Sequence, residues 1–128
     1  MSGEIRNDTE RFDKHPGIRI SSKWNKIYIF KSTIEVLGRP QYVQMLIHPE
    51  KRLLAIKGSE KNERDTFLVP PRLFDNAVCE FKMESKLLTQ QICDMAGWES
   101  GYAYRISGTR YPHVPVVVFE LKKAERIS

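Results

Sequence analysis

Apolar and polar positions alternate with a period of two along much of the chain. Ile18 and Ile20 alternate with Arg19 and Ser21, and Ile27 and Ile29 with Lys26 and Tyr28, which predicts two half-buried strands. The polar run Ser22-Lys23 with Asn25 separates them, and Asn tolerates the left-handed backbone that a tight turn needs. Ser32 to Glu35 reads Ser-Thr-Ile-Glu, the capping-box pattern: the Ser32 hydroxyl accepts from an early helix amide while Glu35 reaches back to the Ser32 amide. The pattern predicts a short helix from Ser32, ended by Gly38 in the left-handed C′ position and kept from resuming by Pro40. Tyr42 to Ile47 and Leu53 to Ile56 predict two more strands around the turn His48-Pro49-Glu50-Lys51. The stretch Ile18 to Lys57 therefore reads β-β-α-β-β.

The second half repeats this outline. Gly58 to Asp65 is a polar connection, Thr66 to Val69 a short apolar strand stopped by Pro70-Pro71, and Asp75-Asn76 another turn. Ala77 to Phe81 alternates as a strand does. Lys86-Leu87-Leu88 reads as a strand end, Thr89 as an N-cap, and Gln90 to Ala96 as a short helix stopped at Gly97. Tyr102 to Ile106 and Val114 to Leu121 predict a closing hairpin, with Gly108 and Pro112 in its connection. Setting Gly38 on Gly97 places Ile29 on Leu88, Ile34 on Cys93 and Leu37 on Ala96. The expected organisation is a flexible arm over residues 1–16, with only Ile5 and Phe12 as large apolar groups, then a single domain over 17–128. Two tandem units, 17–58 and 77–123, are joined by a connection at 59–76. The fold class is mostly β with short helices (α+β).

The first unit resembles the AbrB/MazE-like family of swapped-hairpin DNA-binding modules, the transition-state regulators and antitoxins. The resemblance rests on Asn25-Lys26 at the turn, Ile27-Tyr28-Ile29-Phe30 at the strand end and Leu37-Gly38 at the helix end, with the spacing from Lys26 to Gly38 ungapped. Phe30 stands where the family usually has Pro, and Ile34 and Glu35 where DNA-binding members often carry arginines. The resemblance implies a swapped-hairpin barrel of two β-β-α-β-β units, which family members build as intertwined dimers. A tandem copy would build it within one chain, as a pseudo-dimer. It also implies a DNA-binding transcriptional regulator, with Arg19 and Lys26 at the positions of the family's basic hairpin residues.

Composition narrows the classes. A chain of 128 residues suits one domain or two small intertwined halves, and can bury about two thirds of its surface without staples. The net charge of +5 favours a polyanionic partner. Cys79 and Cys93 make neither a disulfide framework nor a zinc spacing, so a reducing cytoplasm is expected. The polar, charged first residues carry no signal-peptide pattern, and no apolar run approaches the roughly 20 residues of a membrane span. His15, His48 and His113 fall in a tail and in turns, without carboxylate or cysteine at ligand spacing. Cys93 lies on the inner face of the second helix with no histidine in its motif, and Ser107-Gly108-Thr109-Arg110 lacks the lysine and strand-to-helix setting of a phosphate loop. No catalytic, metal or cofactor constellation is present, so an enzyme is not expected.

The candidate DNA contacts are Arg19, Lys23, Trp24, Lys26 and Lys31. On a two-stranded ribbon Arg19 and Lys26 project outward to phosphates or base edges, and Lys23 beside Trp24 puts a cation next to an exposed ring that can stack. In the second unit Lys82 and Lys86 alternate with Glu80 and Glu84, which makes that half a poor reader of DNA. Tyr102 and Tyr104 share a strand face and serve as core or as a protein-binding surface. The competing function is a protein-interaction or antitoxin-like accessory module that keeps the barrel without the DNA face, its partner a protein.

Overall fold

The computed structural model describes residues 15–75 and 78–127. Strands β1 (Gly17–Ser21) and β2 (Lys26–Phe30) form a hairpin, α1 (Lys31–Val36) follows, and β3 (Tyr42–His48) and β4 (Leu53–Ser59) form a second hairpin. Then come β5 (Thr66–Leu68), a 3-10 turn (Pro71–Phe74), β6 (Glu80–Glu84) and α2 (Lys86–Ala96). The chain closes with β7 (Ala103–Arg110), β8 (Val116–Glu120), a 3-10 turn (Leu121–Lys123) and β9 (Glu125–Arg126). The fold is mostly antiparallel β with short helices. Among the described residues the strands form one sheet ordered β5-β3-β4-β8-β7-β1-β2-β6, with β9 on β7, and the sheet curls into a half-barrel.

Alternation decides the inside. Ile18, Ile20, Ile27 and Ile29 are fully buried, and they share one core with Leu54, Ile56, Val117 and Phe119 from the opposite part of the sheet and with Ile34 and Ile92 from the helices. The curl is concentrated in β7, whose first five residues pair with β1 while Gly108–Arg110 pair with β8. At the changeover a Cβ on Gly108 would lie 2.5 Å from Val117 Cγ1 and 2.6 Å from Phe119 Cε2, so only glycine lets the two inner faces close. Gly108 is thus a strand residue and not part of a loop.

Several expected boundaries move. Phe30, not Ser32, is the N-cap of α1, without a side-chain cap bond. The adjacent Thr33 acts instead across the fold: its buried hydroxyl accepts from Gly17 N at 2.9 Å and donates to Gly17 O at 2.8 Å, clamping the start of β1. The run Lys86-Leu87-Leu88 is the first turn of α2, capped by Ser85, whose hydroxyl accepts from Leu88 N at 3.2 Å; Thr89 lies inside the helix. β6 begins at Glu80 rather than Ala77, which lies outside the described residues, as does the expected arm up to residue 14. Among the described residues the 59–76 connection contains β5 and a 3-10 turn, and within 77–123 one strand precedes the helix rather than two.

The two helix ends match. Gly38 and Gly97 both have positive φ, at 85° and 71°. Arg39 N donates to Ile34 O as Trp98 N does to Cys93 O, the 6→1 bond of a Schellman motif. The strand pairings share this correspondence. In β2·β6, Lys26 faces Glu84 and Phe30 faces Glu80; in β4·β8, Leu53 faces Glu120 and Lys57 faces Val116. Likewise β1 borders β7 as β5 borders β3, and β7 borders β8 as β3 borders β4. Leu88, set on Ile29 by the glycine alignment, lies in α2 and not in a strand. Hairpin β1–β2 lies between β6 and β7, so each of its outer edges is paired with a strand from beyond α1.

Candidate nucleic-acid interface

Because the isoleucines of β1 and β2 point inward, Arg19, Ser21, Lys26, Tyr28 and Phe30 occupy the opposite, outer face of the sheet. The ladders align Arg105 of β7, Arg19 of β1, Tyr28 of β2 and Lys82 of β6 in one row across that face. Arg19 and Arg105 are directly opposed, an arrangement that like charge disfavours. Each guanidinium is steadied by a ring and, for Arg19, by an acid. The Arg19 guanidinium lies 4.0 Å from the centroid of Tyr28 and its Nη2 donates to Glu80 Oε2 at 2.6 Å; Arg105 lies 5.3 Å from the centroid of Phe30. Glu125 of β9 faces Arg105, and Arg126 covers the ring of Tyr102 at 4.4 Å. The surface is therefore a mosaic of guanidinium groups over aromatic rings with Glu80, Glu84 and Glu125 interspersed.

The turn end of the hairpin is held firmly. Asn25 takes φ 54°, as the sequence implies, and its carbonyl accepts from Ser85 N. Ser22 ties the turn to the loop before β7: its hydroxyl accepts from Gly101 N at 2.8 Å and Tyr102 N at 3.1 Å and donates to Tyr102 O at 2.8 Å. Beside this latch a cleft of about 300 Å³ opens, lined by Arg19, Ser21, Lys23, Trp24, Tyr28 and Tyr102. Trp24 is 63% exposed, and the Lys23 ammonium lies 5.2 Å from its ring centroid.

Of the sequence candidates, Arg19, Lys23 and Trp24 come together at this cleft. Lys26 starts β2, facing Ser21 on one side and Glu84 on the other, and Glu84 also pairs with Lys82 at 3.3 Å. Lys31 sits at the far end of the hairpin, where its amide donates to Cys79 O. Arg105 and Arg126 were not singled out from the sequence. The alternation Tyr104-Arg105-Ile106 puts Arg105 on an outer face, but nothing local says which strand it borders.

The remaining candidates have plainer settings. Tyr104 is buried, stacked on Trp98 at 4.3 Å between centroids, while Tyr102 lines the cleft. Burial, with the Asp94 charge adding to it, pushes the Cys93 thiol up to about 11, so it stays protonated at neutral pH. Among the described residues no cluster of three or more His, Cys, Asp and Glu could hold a metal, and no helix is long and apolar enough to cross a membrane. Comparison with protein-family models, curated proteins and solved structures finds no match to this chain.

Proposed function

We propose that the protein is a DNA-binding transcriptional regulator of the AbrB-like type, a swapped-hairpin barrel whose two halves are fused in one chain as an intrachain pseudo-dimer acting in the cytoplasm. The matching neighbours of the two halves (β1 on β7 as β5 on β3, β7 on β8 as β3 on β4) and the seat of hairpin β1–β2 between β6 and β7 support the barrel reading. The observation that carries the DNA reading is the opposed pair Arg19–Arg105 on the outer face that also carries Lys26 and Lys82, with Lys23 at the adjoining turn. Concentrating cations against their mutual repulsion is compensated when a phosphate backbone lies across them, because each neutralised phosphate releases counterions. Glu80 and Glu84 on the β6 side and Glu125 opposite Arg105 lower that attraction at both edges, so the phosphate track is confined to the strip between them.

The test is fluorescence anisotropy with a labelled random duplex at about 50 and 200 mM salt. Affinity is expected to fall steeply with salt, and Lys23→Ala with Lys26→Ala to lower the log–log slope by about two, close to one per phosphate contact. No binding at low salt by folded protein overturns the DNA reading.

A second reading has its own observation. The outer face of β3-β4-β8 carries a cross-strand row Leu46–Ala55–Val118, with Leu46 43% and the neighbouring β5 residue Leu68 60% exposed. Such a face suits a protein partner, as an antitoxin-like accessory module would need. Copurification of a stable partner, together with absent DNA binding, would select it.

A further inference from the structure

We infer that the cleft beside the hairpin turn receives a single unpaired nucleobase, so that the protein prefers nucleic acid with an unstacked base over a fully paired duplex. The inference rests on the nucleic-acid reading above and specifies what one part of that surface does. Three properties of the cleft point to this ligand. Its volume, about 300 Å³, holds one base with part of its sugar and phosphate and little more. Its walls include Trp24, Tyr28 and Tyr102, with the Lys23 ammonium beside Trp24 for the attached phosphate and Arg19 held by Glu80 at the edge. Its frame is set before any ligand arrives, because the three hydrogen bonds of the Ser22 hydroxyl fix the hairpin turn against Gly101 and Tyr102.

The aromatic groups are not equivalent. Tyr28 and Tyr102 each carry an arginine on one ring face, which fixes them as walls. Trp24 has the Lys23 ammonium 5.2 Å from its ring centroid, but it is mostly exposed, at the turn, and offers the most open ring as the stacking platform. An indole this exposed gains nothing from the core, and stacking a base on it is sequence-tolerant since every base has a π face. A regular duplex keeps its bases stacked and presents only phosphate to the cleft; a bulged or overhanging base enters it.

The experiment compares two labelled duplexes that differ by one bulged 2-aminopurine nucleotide, by anisotropy and by the fluorescence of that base. The bulged duplex is expected to bind about tenfold more tightly, with quenched 2-aminopurine, in line with alanine substitutions at stacked aromatics. Trp24→Ala should remove the difference and the quenching, so that the bulged duplex binds no better than the paired one; Trp24→Phe should keep most of both. Equal binding of the two duplexes, or a difference that survives Trp24→Ala, overturns the base site and leaves the nucleic-acid reading standing. Failure of both duplexes to bind overturns the two together.

Discussion

Thr33 is the polar side chain on which the start of the sheet depends. It is fully buried, and its hydroxyl both accepts from and donates to Gly17, sixteen residues away, at the first position of β1. Thr33→Val keeps the shape but leaves the Gly17 amide and carbonyl unpaired in the interior. The expected cost is about 2 kcal/mol, since orphaned buried backbone groups lose their solvation without replacement, and it is read from the shift in the urea midpoint at unchanged m. The sequence signalled a polar function here but misassigned it. Ser-Thr-Ile-Glu is a capping pattern by local rules, yet the hydroxyl in use belongs to the second residue and its partner lies in another strand. Capping-box arithmetic sees only neighbours three residues apart; it has no means of including Gly17. Lys23 and Trp24 were legible for the opposite reason. A lysine and a tryptophan in a turn that carries Asn25 have nowhere to be buried.

At the scale of elements, the two helices make a natural comparison. Both end in a glycine with positive φ and a 6→1 bond, and both ends were readable, because Gly followed by a residue that need not continue the helix is a local signal. Their beginnings differ. α2 has a working cap in Ser85, whereas α1 starts directly from β2 at Phe30 without one. Ser85→Ala should therefore cost about 1 kcal/mol. Ser32→Ala, at a site the sequence marks as the cap, should change stability by less than about 0.5 kcal/mol. Thermal or urea unfolding of the two variants side by side checks both; equal losses would restore the capping box. The start of α2 was hidden because Leu87-Leu88 is apolar and too short to show whether its period is two or 3.6. Packing settles it: α2 turns Thr89, Ile92 and Cys93 inward, at helical spacing, and leaves Leu87 exposed.

For the molecule as a whole, the β-rich class and most strands followed from alternation, and the arrangement of those strands did not. Alternation says that Arg19 and Arg105 point outward; only the insertion of hairpin β1–β2 between β6 and β7 makes them neighbours. The same insertion means that neither half has a complete set of partners, since β1, β2 and β4 each need a strand from the other half. Severing the chain in the exposed loop at 60–65 should give two fragments that lack stable strand structure alone and regain it when mixed, because units of this kind bury their apolar face only against each other. Circular dichroism of each fragment and of the equimolar mixture tests this. A first fragment that folds by itself would mean the halves are independent.

The interleaving of early and late strands also bears on how the protein is made. During synthesis the segments of β1 and β2 leave the ribosome well before the strands that flank them, β6 and then β7, have emerged. The segment Gly17–Phe30 is then an isoleucine-rich stretch without its strand partners, of the kind that joins to copies of itself on neighbouring nascent chains. Charged residues in it, among them Arg19, Lys23 and Lys26, disfavour such joining in the interval. The residues proposed to meet phosphate in the finished fold thus have an earlier task, as guards of an edge that the chain cannot yet cover.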